Sequence, residues 1–184
     1  CLDWISAHRA WFDIFYEHVN YFRLDDFRRM FGRVLESGHV FGGQYLYVVA
    51  DLASLRDPAA GGGVHFEFPA DFTASVARYA DQMRARQSAP GTAGSSVIWG
   101  GASKGVIFSL FMQRAGAKVD CVVDINPAKQ GRYLAATGLR VSSPEDMLRQ
   151  AAAGSDIYVM NGNYLPEIRQ MTQDRFNYMT VDHE

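Results

Sequence analysis

The sequence is poor in cysteine, has no long apolar run and carries no excess of basic charge. Its two cysteines, Cys1 and Cys121, are too few for a disulfide framework or a cysteine-based zinc site. No stretch of 18 apolar residues occurs in the 184-residue chain, so we expect no membrane-spanning helix. Its 20 acidic and 18 basic side chains provide no basic surface for nucleic acid phosphates. These absences predict a cytoplasmic protein without nucleic acid or membrane partners.

The histidines also lack the spacing of a metal site, so we predict that no metal is bound.

The chain begins with Cys1 rather than methionine and contains nothing like a signal peptide, which indicates a piece of a longer protein. Its hydrophobic fraction of 48% is high enough for a folded core. The sequence does not indicate an oligomeric state.

The first part of the chain, residues 1–53, is predicted to be a compact αββ unit. A helix is expected over residues 24–31, where acidic residues come early and arginines late. Two β-branched and aromatic runs, 33–41 and 44–52, are joined by a glycine pair typical of a hairpin. Because a two-stranded sheet is marginal by itself, we expect this hairpin to lie at the edge of a larger sheet.

The rest of the chain changes from a linker to a regular strand–helix alternation. Residues 54–94 are predicted to be a linker with one helix over 71–87. From residue 95 to 184 we predict a Rossmann-like α/β domain, because alternating strands and helices form a parallel sheet. The five predicted strands, in the expected sheet order 3-2-1-4-5, cover residues 96–99, 119–123, 139–141, 156–160 and 176–181.

A glycine-rich turn follows the first strand of this domain. Its residues Gly100-Gly101-Ala102-Ser103-Lys104-Gly105 match the dinucleotide pattern G-x-G-x-x-G except at Ala102. The helix N-terminus after such a turn binds a diphosphate through backbone N–H groups, and Lys104 is expected to counter its charge. Asp124, at the end of the next strand, is expected to bond a ribose. The alternative is a tight turn whose glycines serve only packing.

Polar residues also follow the second and fourth strands, where open parallel sheets bind their ligands. Asn126 and Lys129 lie after the second strand and are candidates for contacting a base, ribose or phosphate. Asn163 and Tyr164 lie after the fourth strand and suit polar recognition. The alternative after the second strand is a capped turn with solvated side chains, and the alternative after the fourth is an Asn-Gly turn that needs positive φ.

Near the start of the chain, a carboxylate and an imidazole are adjacent among aromatic residues. The segment Tyr16-Glu17-His18 supplies a candidate general base, since imidazole exchanges protons near neutral pH. Taken alone, the pattern more often describes a structural histidine that is hydrogen-bonded to its surroundings.

These motifs, in this order, resemble the C-terminal part of the S-adenosylmethionine-dependent sugar C-methyltransferase family. The resemblance rests on Tyr16-Glu17-His18, on the turn from Trp99 to Gly105, on Val123-Asp124-Ile125-Asn126-Pro127-Ala128-Lys129-Gln130-Gly131, and on Asn163-Tyr164. The resemblance covers nearly the whole chain. Its most specific motif is the one that follows the second strand, from Val123 to Gly131. The glycine turn departs from the family pattern at Gly101 and Ala102.

The resemblance implies the terminal αββ portion of a class I methyltransferase domain, followed by a Rossmann-like C-terminal domain. It implies methylation of a carbon of a nucleotide-linked keto-deoxysugar, with the methyl group drawn from S-adenosylmethionine. His18 would then be the general base, with Glu17 or Tyr16 orienting it or the substrate. The cofactor site would lie upstream of Cys1, so we expect this chain alone to be inactive.

Two other functions stay open at this point. An NAD-dependent oxidoreductase fragment would bind its cofactor through Gly100, Gly105 and Asp124, although Ala102 counts against it. A non-catalytic module that binds a nucleotide sugar or a protein is the second alternative.

Overall fold

The computed structural model describes residues 1–57, 65–88 and 94–181, and the chain divides into two compact units. The first unit comprises Cys1–Trp11 and Tyr16–Phe72, and the second comprises Phe12–Phe15 and Thr73–Glu184. The short segment Phe12–Phe15 therefore belongs with residues that are distant in the sequence. The domain boundaries expected at residues 53 and 94 stay a prediction.

The first unit contains helices α1 (Leu2–Ala7) and α2 (Leu24–Met30) and strands β1 (Val34–Val40) and β2 (Tyr45–Ala50). The two strands pair antiparallel, so the predicted hairpin is confirmed. Its turn needs the left-handed conformation that glycine adopts easily, with φ of 64° at Gly42 and 94° at Gly43. Among the described residues the hairpin forms a sheet of two strands, and the larger sheet expected around it stays a prediction.

Helix α1 was not expected from the sequence. It is only six residues long, and its Cys1 N-cap makes no side-chain capping bond, so the usual start signal is absent. The helix forms because Trp4 and Ile5 become buried, which is a tertiary effect.

The second unit is a five-stranded parallel sheet with helices on both faces. Its elements, in chain order, are α3 (Ser75–Ser88), β3 (Ser96–Trp99), α4 (Ser103–Arg114), β4 (Cys121–Val123), β5 (Val141–Ser142), α5 (Pro144–Gln150), β6 (Asp156–Val159), α6 (Leu165–Met171) and β7 (Asn177–Thr180). The strand order is β5-β4-β3-β6-β7, which confirms the predicted 3-2-1-4-5 order. The Rossmann-like fold class is therefore confirmed.

Several elements begin or end at residues other than those predicted, and two of these differences have a local cause. The helix predicted over 71–87 begins at Ser75, because Phe72 donates its backbone N–H to Pro69 O and closes a turn before the helix. The third strand is Val141–Ser142 rather than 139–141, because Leu139 bonds to Leu134 in a local reversal of the chain instead of to β4.

The core of the second unit lies on both faces of its central strands β3 and β6. On one face, Tyr79 of α3 and Phe108 of α4 pack around Tyr158 of β6. On the other face, Met147 of α5 and Ile168 of α6 close over alternating strand residues. This burial fixes the sheet, so its carboxyl edge presents the turns after β3, β4 and β6 at defined positions.

Candidate functional site

The glycine turn after β3 is shaped by two close approaches of the backbone. Gly100 has φ of 120°, and a Cβ there would lie 3.1 Å from Met160 Cβ, just after β6. A Cβ on Gly105 would lie 2.0 Å from the carbonyl oxygen of Gly100. Both positions therefore require glycine, one for its conformation and one for helix-to-turn packing. Gly101 is different, because a Cβ there meets its neighbours at an ordinary 3.4 Å.

Helix α4 begins directly at this turn. Ala102 is its N-cap residue, in an extended conformation and without a side-chain capping bond. The first N–H groups of an α-helix have no acceptor within the helix, and the helix dipole makes this end attractive to an anion. Glycine turn and helix end thus have the arrangement expected of a diphosphate contact.

Asp124 lies at the end of β4 with its carboxylate buried and committed to three donors. Its Oδ2 accepts hydrogen bonds from Gly101 N at 3.0 Å and from Lys129 Nζ at 2.9 Å. Its Oδ1 accepts from Asn126 N at 2.9 Å. The carboxylate therefore joins the turn after β3 to the turn after β4.

The remaining polar residues of the turn after β4 also bond within it. Asn126 Oδ1 accepts from Ala128 N at 3.0 Å, and Gln130 Nε2 donates to Asp124 O at 3.0 Å. Lys129 remains partly exposed, with 37% of its side-chain surface accessible. The structure thus brings Gly101, Asp124, Asn126 and Lys129 together through their own hydrogen bonds.

This arrangement bears on the expected ribose contact. A carboxylate that holds a ribose diol turns its oxygens toward the ligand. Asp124 instead turns both oxygens to protein donors and is only 7% exposed. Asp124 therefore has the geometry of a residue that fixes two turns, and Lys129 is the charged group of this cluster with accessible surface.

Lys104, in the first turn of α4, points its charge elsewhere. Its Nζ atom is buried and lies 3.1 Å from Asp13 Oδ2, close enough for an ion pair although not aligned as a directed hydrogen bond. The same Nζ lies 5.7 Å from the ring centre of Phe12, within cation–π range. The ammonium group expected to face a diphosphate is thus held by Asp13 and Phe12 instead.

Asp13 was missed in the sequence analysis. The signal that it left is indirect: helix α4 has the sequence SKGVIFSLFMQR, which is mostly apolar and contains no acidic residue. A lysine buried on such a helix needs a carboxylate from another part of the chain. The sequence shows the need for this partner but not which residue provides it.

Asn163 and Tyr164 follow β6 at the same edge of the sheet as the glycine turn. Asn161 caps this turn, with its Oδ1 accepting from Asn163 N at 3.1 Å. The side chains of Asn163 and Tyr164 are both exposed. Both side chains are therefore accessible from solvent at this edge of the sheet.

The candidate catalytic residues Tyr16, Glu17 and His18 belong to the first unit, and all three are exposed. The carboxylate of Glu17 raises the pKa of Tyr16, mainly because its negative charge disfavours the phenolate and also because it accepts a hydrogen bond from the phenol. The ring of His18 meets the ring of Tyr21 edge-on, with centres 5.6 Å apart.

Within residues 1–57, 65–88 and 94–181, no cluster of histidine, cysteine and acidic side chains forms a potential metal site. Over the same ranges, no helix combines the length and the hydropathy needed to cross a membrane.

A doubly wound sheet with a glycine turn at its carboxyl edge places the second unit in the large class of Rossmann-like α/β domains. Comparison with protein families matches residues 52–177 to the C-methyltransferase C-terminal domain family. The chain belongs to this family, whose name assigns it to the methyltransferases. Neither a curated protein nor a solved structure matches the chain.

Proposed function

We propose that this chain is the part of a C-methyltransferase that binds a nucleotide-linked keto-deoxysugar and supplies the general base. The observation that carries the proposal is the family match over residues 52–177, which covers the glycine turn and the turn after β4. The sequence motifs that suggest a sugar substrate lie mainly in the same range.

The nucleotide is assigned to the carboxyl edge of the sheet in the second unit. Backbone N–H groups at the start of α4 would meet the diphosphate, as at other helix N-termini that follow glycine turns. Lys129 would add a positive charge, because an ammonium group has three donors and only one is committed to Asp124. Asn126, Asn163 and Tyr164 are the exposed side chains that remain for the base and ribose.

The base is assigned to His18. A carbon beside a keto group is acidic enough for an imidazole to remove its proton, and the electrons of the broken C–H bond move to the keto oxygen. The resulting enolate is the carbon nucleophile that a methyl transfer requires. Glu17, the neighbouring carboxylate, would stabilise the imidazolium that forms.

S-adenosylmethionine, the expected methyl donor, is not assigned to the described residues. Its ribose would need a carboxylate with free oxygens, and Asp124, at the corresponding strand end, is committed to Gly101, Asn126 and Lys129. The same observation argues against the NAD-dependent alternative, which would need Asp124 in that role.

The role of His18 is tested by hydrogen exchange into the substrate. Incubation with a nucleotide-linked keto sugar in D₂O should replace the acidic C–H with deuterium, and NMR measures the rate. His18→Ala should lower this rate by roughly 10²–10⁴-fold, the usual contribution of a positioned general base. His39→Ala is the matched control, since His39 is another exposed histidine of the same unit. Equal exchange by the parent and His18→Ala proteins would exclude His18 as the base.

The nucleotide site is tested by calorimetric titration with a nucleoside diphosphate, NAD and S-adenosylmethionine. We expect binding of the nucleoside diphosphate, weakened about tenfold in Lys129→Ala because one charge-assisted contact is lost. Lys118→Ala is the control, since Lys118 is exposed and paired with Asp120. Binding of NAD in preference to the nucleoside diphosphate would support the oxidoreductase alternative instead.

A further inference from the structure

The segment Phe12–Phe15 has an unusual place in the fold. It groups with the second unit, although the residues on both sides of it in the chain group with the first. Phe12 and Asp13 are both buried, with exposed fractions of 3% and 8%. A charged residue is rarely buried to this degree unless a partner of opposite charge accompanies it.

That partner is Lys104, whose ammonium group lies 3.1 Å from the Asp13 carboxylate. Side-chain exposures of 19% for Lys104 and 10% for Asp13 make this a largely desolvated pair. The Phe12 ring adds a cation–π contact to the same ammonium group. Two consecutive residues of the segment thus hold one lysine, so removal of the Asp13 carboxylate takes away the opposite charge of a largely buried ammonium group.

We infer that Lys104 is a positioning residue, which anchors Phe12–Phe15 to the start of α4, rather than a ligand of the substrate diphosphate. Its Nζ atom is buried, and its charge is paired with Asp13 inside the protein. The anchored segment ends at Phe15, which is joined by a peptide bond to Tyr16, the first of the three candidate catalytic residues. Any effect of the anchor on Tyr16, Glu17 and His18 passes through this chain connection, and its catalytic meaning rests on the function proposed above.

The anchor is tested first without any catalytic assay, by hydrogen–deuterium exchange of backbone amides. In Lys104→Met, which keeps the length of the side chain but removes its charge, amides of residues 12–15 should exchange at least about tenfold faster. Amides of strand β3 should exchange at the parent rate. Lys104→Arg should restore much of the protection, since it keeps the charge. Unchanged exchange in residues 12–15 of Lys104→Met would overturn the anchor.

The same variants are titrated with a nucleoside diphosphate to separate the two roles of Lys104. We expect the dissociation constant of Lys104→Met to stay within about twofold of the parent value, whereas Lys129→Met weakens binding about tenfold. A tenfold loss of affinity in Lys104→Met, with unchanged amide exchange, would make Lys104 a phosphate ligand and overturn the inference. If the parent chain binds no nucleoside diphosphate, the proposed function fails, while the exchange experiment still decides the anchor.

A folding defect is handled with the double variant Asp13→Leu/Lys104→Met. It removes both charges together, so no buried charge stays unpaired. If Lys104→Met does not fold, the double variant should fold and bind the nucleoside diphosphate within about twofold of the parent. A folded double variant that binds ten times more weakly would overturn the inference.

The rate of deuterium exchange into the keto sugar is a third measurement of the anchor. In the D₂O exchange assay, Lys104→Met and Asp13→Asn should each lower the maximal rate about tenfold while the half-saturating concentration of keto sugar stays constant. Lys104→Arg should recover much of this rate. A rise in the half-saturating concentration with an unchanged maximal rate would indicate a binding role and contradict the assignment.

Discussion

Replacing Asp124 tests whether the turn after β4 is held together from within. Asp124→Ala removes two hydrogen bonds from backbone donors, Gly101 N and Asn126 N, and one from Lys129. A hydrogen bond to a charged acceptor contributes about 1.5–3 kcal/mol, and a pair with a partly exposed lysine contributes at most about 1 kcal/mol. With the lower value for each backbone bond, we expect the free energy of unfolding to fall by about 3–4 kcal/mol.

Urea unfolding followed by circular dichroism measures this change. Asp124→Asn should lose about 2 kcal/mol, because its amide nitrogen cannot accept from a backbone N–H. Lys129→Met should have a much smaller effect, because Lys129 is partly exposed. Asp81→Ala removes an exposed acid in a surface pair and should leave the unfolding midpoint unchanged.

The reasoning is refuted if Asp124→Ala loses less than about 1 kcal/mol of stability. A residue that only binds ribose would behave in the opposite way, because its replacement weakens nucleotide binding and leaves the free energy of unfolding almost unchanged. The pair of measurements therefore separates a residue that fixes two turns from one that binds the ligand.

The remaining predictions concern Gly105 and Tyr158. Gly105→Ala should destabilise the chain by about 3 kcal/mol or more in urea unfolding, because the new Cβ would lie 2.0 Å from Gly100 O. Gly101→Ala is the control and should cost about 1 kcal/mol or less, because its Cβ contacts are 3.4 Å. Similar losses of stability in both variants would contradict the packing argument. Tyr158→Phe should be neutral or stabilising by up to about 1 kcal/mol, because the buried hydroxyl has no hydrogen-bond partner among the described residues; a loss above 1 kcal/mol would reveal one. Burial raises the pKa of Tyr158, and the nearby Asp156 adds to the rise. Because the unfolded chain then loses this proton first, the free energy of unfolding is unaffected by Tyr158 below the unfolded-state pKa near 10 and falls by up to about 1.4 kcal/mol per pH unit above it. Unfolding of the parent and Tyr158→Phe proteins at pH 8 and pH 10.5 should therefore show a smaller loss in the variant, and equal losses would contradict the raised pKa.

The sequence by itself determined the architecture of the second unit. Short apolar strands separated by helices predict a parallel sheet, and right-handed crossovers with short loops leave few strand orders, of which the expected one is observed. The glycine turn was equally predictable, because Gly100 and Gly105 follow β3 and begin α4 at the spacing that a tight strand-to-helix turn requires. The Gly42-Gly43 hairpin was predictable for the same local reason.

Tertiary structure decided which partners the charged residues take. The sequence placed Asp124 and Lys104 beside a nucleotide-type turn, but a motif specifies side-chain types and spacing, not the direction in which a carboxylate or an ammonium group points. Asp124 turned to Gly101, Asn126 and Lys129, and Lys104 turned to Asp13, which lies 91 positions earlier in the chain. Burial is the physical reason: a charge removed from water must be compensated by the nearest donors or opposite charge, and only the folded chain determines which residues are near.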